Sequence, residues 1–140
     1  MTQENKDLLL QDLCARLPYG VKCKYYDCCE GAYDEGTIRG FERHEYMEID
    51  GVCIHVEEVK PYLFPLSSMT EEQKNQLKEI WDADMNKALD YAISGEEGLS
   101  DLFQLSAAKK VINWFIKNHF DFQGLIPKEL AIDCTNLNVY

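Results

Sequence analysis

The stretch 45-EYMEIDGVCIHVEEV-59 decides the fold. Asp50-Gly51 stands between two runs that alternate apolar and polar residues, the signature of a two-residue hairpin whose turn residues both take positive φ. A turn there fixes the register. Ile49 opposes Val52, Glu48 opposes Cys53, Met47 opposes Ile54 and Tyr46 opposes His55. Side chains alternate across a strand, so Met47, Ile49, Val52, Ile54 and Val56 share the face expected to be core. Tyr46, Glu48, Cys53 and His55 share the other face, the candidate binding surface.

Working outward, Val21, Cys23 and Tyr25 alternate along a strand before the hairpin, and residues 36–41 read as another. Short antiparallel strands with tight turns over residues 21–66 predict a small SH3-like barrel. Before them, Leu9, Leu10, Leu13 and Leu17 recur at helical spacing in residues 1–20, with Thr2 or Asn5 as cap and Pro18-Tyr19-Gly20 as stop. After them, residues 67–140 read as helical. Thr70 and Gln73 form a capping box, and Glu71 and Glu72 suit the positive first turn. Leu77, Ile80, Trp81, Met85, Ala88, Leu89 and Ala92 then make one apolar stripe, read as core together with Trp114. A loop is expected at 94-SGEEG-98 and a further helix over 106–118. A compact turn, a short helix and an ordered tail are expected over 119–133. The whole predicts an α+β chain forming one compact domain of 140 residues.

The formal net charge is −11. It is uneven: residues 27–101 hold 19 acidic and 6 basic side chains, whereas residues 102–140 hold 3 and 4. Phosphate recognition needs clustered Lys and Arg, so direct nucleic-acid binding is not expected. No apolar run approaches the ~20 residues of a membrane span. The acidic, amphipathic start lacks the pattern of a secretory signal, which places the chain in the cytoplasm, where thiols stay reduced.

The stretch 23-CKYYDCCEGAYDEG-36 raises the question of a metal or redox site. Cys23, Cys28 and Cys29 lack the paired knuckles of structural zinc sites. Adjacent Cys28 and Cys29 would point apart on extended chain, and are expected in or near a loop. Cys53 and His55, two apart on one strand with Glu48 across from them, are the better trio for a metal or for thiol chemistry. No orienting third group or oxyanion donor accompanies them. The expectation is therefore no catalytic residue, no metal and no cofactor. The acidic runs at Glu57-Glu58, Glu71-Glu72, Glu96-Glu97 and Asp82/Asp84 read as solvated faces. His119, after the last long helix, reads as a cap on its carbonyls.

Three stretches, 13-LCARLPYGVKC-23, 58-EVKPYLFPLSSMTEEQ-73 and 112-INWFIKNHFDFQGLIPKELAID-133, resemble a family of small uncharacterised proteins encoded by phages and mobile elements of anaerobic gut bacteria. The last matches a recurring tail at Trp114, Asn118, His119, Phe120, Asp121, Phe122, Gly124, Leu125 and Ile126. That tail often carries glycine where this chain has Glu129. The resemblance implies no activity, and the tail's residues read as a structural cap that docks the last helix.

The leading expectation is a non-catalytic, acidic protein-interaction module of phage or mobile-element origin. Its sharper version inhibits a host nucleic-acid-handling or defence protein by offering carboxylates to a basic surface. Two alternatives stand beside it: a metal- or thiol-dependent enzyme built on Cys53, His55 and Glu48, and a phage structural or assembly component. A protein partner is expected; its identity and the oligomeric state stay open.

Overall fold

The computed structural model describes residues 1–43, 45–95 and 97–140. The chain is α+β, and it divides into two compact units: residues 1–66 with 119–140, and residues 67–118.

The first unit opens on α1 (Gln3–Arg16), capped by Thr2, whose Oγ1 accepts from Asn5 N at 3.3 Å. Pro18 in the following 3-10 turn and Gly20 at φ 68° stop the helix. Strands β1 (Lys22–Asp27), β2 (Ala32–Arg43), β3 (Tyr46–Ile49), β4 (Val52–His55) and β5 (Val59–Pro65) follow. The β3–β4 hairpin has the expected register in all four pairs. Its turn residues Asp50 and Gly51 lie at φ 46° and 95°. Met47, Ile49, Ile54 and Val56 are buried; Val52, at the tip of the hairpin, has no facing element and is 38% exposed.

The sheet runs β4-β3-β2-β1-β5-β6 and is open. No pairing among the described residues joins its ends, so the expected closed SH3-like barrel is not formed. Strand β2 explains the shape. It is 12 residues long and its pairing with β3 slips between Ile38 and Gly40 and again between Phe41 and Arg43. Such bulges bend and twist a strand, letting β2 serve β1 with one half and β3 with the other. Gly36 sits at the tightest point, where a Cβ would come within 2.6 Å of Ile49 Cγ2. The curved sheet takes Leu9 and Leu13 of α1 into a core with Val21, Cys23, Tyr25, Ile38, Val59 and Leu63.

The expected helical stretch 67–140 ends at Lys117. Residues 119–140 group with the sheet, adding two short parallel strands beside β5: β6 (Phe120–Asp121) and β7 (Ile132–Asp133). No short helix forms over 119–133; turns do. The physical reason is one buried ion pair. Arg16 and Asp12 are both fully buried, with Nε to Oδ2 at 2.6 Å. Arg16 also donates to Phe120 O at 2.8 Å, and Gln123 donates to Asp12 Oδ1 at 3.3 Å. Asp121 then accepts from Leu125 N and Ile126 N, each at 2.8 Å. The tail therefore packs on the sheet and α1. Glu129 takes φ 59°, a left-handed conformation that glycine adopts most readily.

The second unit is a helical hairpin, α2 (Glu71–Ile93) and α3 (Glu97–Lys117). Thr70 and Gln73 form both bonds of the capping box, at 3.2 and 2.8 Å. Helix α3 begins nine residues before the expected 106. Glu96, in the expected loop and in the Glu96-Glu97 pair, lies outside the described residues. No helix among them is long and apolar enough to cross a membrane.

Candidate functional site

The outer face of β3–β4 holds the four residues singled out in the sequence, but it does not bring them together as a reacting set. His55 is committed on both ring nitrogens. Nε2 meets Glu45 Oε2 at 3.0 Å and Nδ1 accepts from Glu57 N at 3.4 Å. The imidazole thus caps the 3-10 turn at Val56–Glu58. Tyr46 lies edge-on to its ring at 5.1 Å. Lys6 of α1 completes the cluster, 3.3 Å from Glu45 and 3.4 Å from Glu57. Bonds from His55 and Lys6 hold the Glu45 carboxyl below its ordinary range. Cys53 interacts with Glu42 instead of His55, and desolvation plus that carboxylate push its thiol up. A base–nucleophile pair needs the opposite: a thiol held down beside an available imidazole. Cys53, His55 and Glu48 do not converge on a common point as metal ligands. This is an ionic latch between α1 and the hairpin.

The cysteine turn departs from expectation in one respect. Cys28 and Cys29 do lie in the loop joining β1 and β2, yet they converge. With Asp27 they place three ligand atoms within 4.8 Å of one another, the one such group among the described residues. The cause is the turn itself. Gly31 at φ 68° reverses the chain, Gly31 N donates to Asp27 O, and Asp27 Oδ1 accepts from Cys29 N at 2.8 Å. Neighbouring side chains that diverge on a strand can meet in such a turn. Both thiols are exposed, and Cys28 beside it holds Cys29 above its ordinary value. Such a pair could grip a soft cation by two sulfurs, short of the four ligands of a structural zinc site. Cys23 and Cys134 are buried, with thiols pushed up by burial to about 12 and about 11.

A polar cleft of about 310 Å³ opens among Lys22, Glu35, Thr37, Asp50 and Tyr62. Its groups satisfy one another. Tyr62 Oη donates to Glu35 at 2.5 Å, and Asp50 accepts from Thr37 N and Arg39 Nε at 2.8 and 2.9 Å. Those two bonds hold the Asp50 carboxyl below its usual range.

The helical hairpin carries the feature that sequence reasoning missed. Asp84, Ala88, Ser100 and Ala107 are buried along its seam, and Tyr91 of α2 stacks on Phe103 of α3 with ring centres 5.2 Å apart. Asp84, expected on a solvated face, is 2% exposed and bonded to Lys110 at 2.7 Å, which with Ser106 keeps its carboxyl ionised below the ordinary range. Several large apolar residues point outward. Leu89 is 59% exposed, Ile93 78% and Leu105 68%; Trp81, Leu102 and Ile112 are exposed as well. Trp81, Met85, Leu89 and Ile93 recur every four residues and form one ridge of α2. Leu105 and Ile112, seven positions apart, share one face of α3. Gln76, Glu79, Ile80, Ala83, Lys110 and Trp114 line a shallow, mostly apolar groove between the two helices. The signal was present in the sequence as a stripe wider than one seam can bury. Trp81, expected in the core, is 41% exposed; Trp114 is half-buried.

Comparison with protein-family models, with curated proteins and with solved structures finds no match to this chain.

Proposed function

We propose that this chain is a non-catalytic protein-interaction module. Exposed large side chains of α2 and α3 carry the reading: Leu89, Ile93, Leu102 and Leu105 are 59%, 78%, 60% and 68% exposed, although burying a Leu or Ile is worth roughly 1.5–3 kcal/mol. Apolar surface left in water on this scale marks sites of protein–protein interaction. The concentration of acidic residues over 27–101 supports the sharper version, in which a phage-borne module offers carboxylates to a basic surface of a host nucleic-acid-handling or defence protein. The β3–β4 face gives the enzymatic alternative no support, since His55 and Cys53 are each engaged elsewhere.

The test is quantitative capture from host extract with the tagged chain, its Leu89→Asp variant, and a Tyr46→Ala variant as control. The reading expects proteins held by the wild type and by Tyr46→Ala, and released by Leu89→Asp. Identical captures by all three would remove the hairpin as the interacting surface.

A further inference from the structure

We infer that the turn joining β1 and β2 is a chelate for a soft cation of low coordination number, monovalent copper, held by the sulfurs of Cys28 and Cys29. The residues it uses all belong to the first unit.

Thiols adjacent in sequence diverge on extended chain. Here the two Sγ atoms and a carboxylate oxygen of Asp27 all lie within 4.8 Å of one another. The Cys28 and Cys29 side chains hydrogen-bond each other. A metal–thiolate bond is about 2.3 Å long, so two of them on one ion span at most about 4.6 Å. The sulfurs therefore already stand near the separation that a shared ion requires. Asp27 Oδ1 fixes this arrangement by accepting from Cys29 N at 2.8 Å and from Glu30 N at 3.4 Å. Beneath the turn, β1 and β2 pair without a break from Lys22 and Thr37 to Asp27 and Ala32, and Tyr26 meets Tyr33 edge-on with ring centres 5.2 Å apart. The ordering of the two donors is thus accomplished by folding, which leaves less of it to binding.

The donor set selects the ion. Soft thiolates favour monovalent copper and zinc. Zinc asks for four ligands, and this group offers two sulfurs and one oxygen. Monovalent copper is satisfied by two thiolates, with the carboxylate as a weaker third donor. Binding exchanges two thiol protons for one Cu⁺, leaving a bis-thiolate complex of net charge −1, and transfers no electron. The Cys28 sulfur, the bond between the two thiols and the charges of Asp27 and Glu30 hold Cys29 above its ordinary value. A cation between the sulfurs removes the repulsion that keeps the second thiol protonated. Both thiols are exposed, so an incoming thiolate reaches the bound ion, and the site exchanges its metal instead of depending on it to fold.

Competition against a chromogenic Cu(I) chelator tests this, on the full chain, reduced by a phosphine and kept free of oxygen. The wild type should bind one Cu(I) per chain whatever the protein concentration, with an ultraviolet thiolate-to-copper band, and more tightly as pH rises. Cys28→Ser and Cys29→Ser should melt like the wild type without metal and bind at least ~100-fold more weakly, since a single sulfur loses the advantage of a linked second donor. Cys14→Ser and Cys53→Ser, also at exposed sites, should bind like the wild type. Asp27→Ala keeps both thiols but releases the turn, and should bind about tenfold more weakly. Zn(II) titrated in place of copper should not saturate the chain at micromolar concentrations. Wild-type affinity in Cys28→Ser or Cys29→Ser overturns the inference, as does undiminished affinity in Asp27→Ala. One ion per two chains overturns it too, because separate chains would then be sharing the metal, and stoichiometric zinc at micromolar concentrations overturns the choice of ion.

Discussion

At the scale of single residues, the groups with the most unusual environments are structural. His119 stacks flat on Tyr140, with ring centres 4.0 Å apart, and takes φ 59°. It is 8% exposed and its Nδ1 is buried with no hydrogen-bond partner. Burial, with Arg16 nearby, lowers its pKa to about 4. The unfolded imidazole protonates near ~6.5, so the unfolded state binds more protons between those values and stability falls as pH falls through that window. The loss should approach roughly 3 kcal/mol by pH 4. Melting followed from pH 7 to pH 4 should show a steeper decline for the wild type than for His119→Gln. Parallel curves would place the titration elsewhere. Neither the stacking nor the burial could be read from His119 itself. Tyr140, which fixes the ring by accepting from Lys22 N and donating to Tyr62 O, is 21 positions away in sequence.

At the scale of elements, legibility followed locality. The Asp50-Gly51 turn, its register and the Thr70 capping box depend on residues within a few positions, and each formed as expected. Ile54→Asp, placing a charge on the buried side of β4 where the wild-type residue is 5% exposed, should cost at least several kcal/mol. Chemical denaturation measures this, and an unchanged midpoint would mean that the faces of the hairpin are reversed. Elements set by distant partners were not legible. Strand β6 exists because β5 and the Arg16–Asp12 pair hold it, and nothing in 119-HFDFQG-124 alone announces a strand. The early start of α3 was hidden by glycines at 95 and 98. The broad stripe of α2 was legible as apolar, but not as facing outward, because periodicity counts apolar positions without saying how many a neighbour can cover.

At the scale of the whole molecule, the charge stands without a basic stripe to oppose it. Generic duplex DNA should show no binding below ~100 µM at physiological salt, weaker than ordinary non-specific binders; tight, salt-sensitive retention in a gel-shift titration would contradict this. The two units also differ in how they are threaded. The helical hairpin is continuous, whereas the sheet unit is interrupted by it: Phe64 N donates to His119 O at 2.9 Å across the whole of residues 67–118. That interruption orders events during synthesis. When residue 118 leaves the ribosome, the hairpin has every partner it needs, since its contacts are local and quick to form. The sheet at that moment holds Arg16 and Asp12 without the carbonyl of Phe120 or the amide of Gln123. A nascent chain therefore offers its finished helices to the surroundings before its sheet can close over the buried charges.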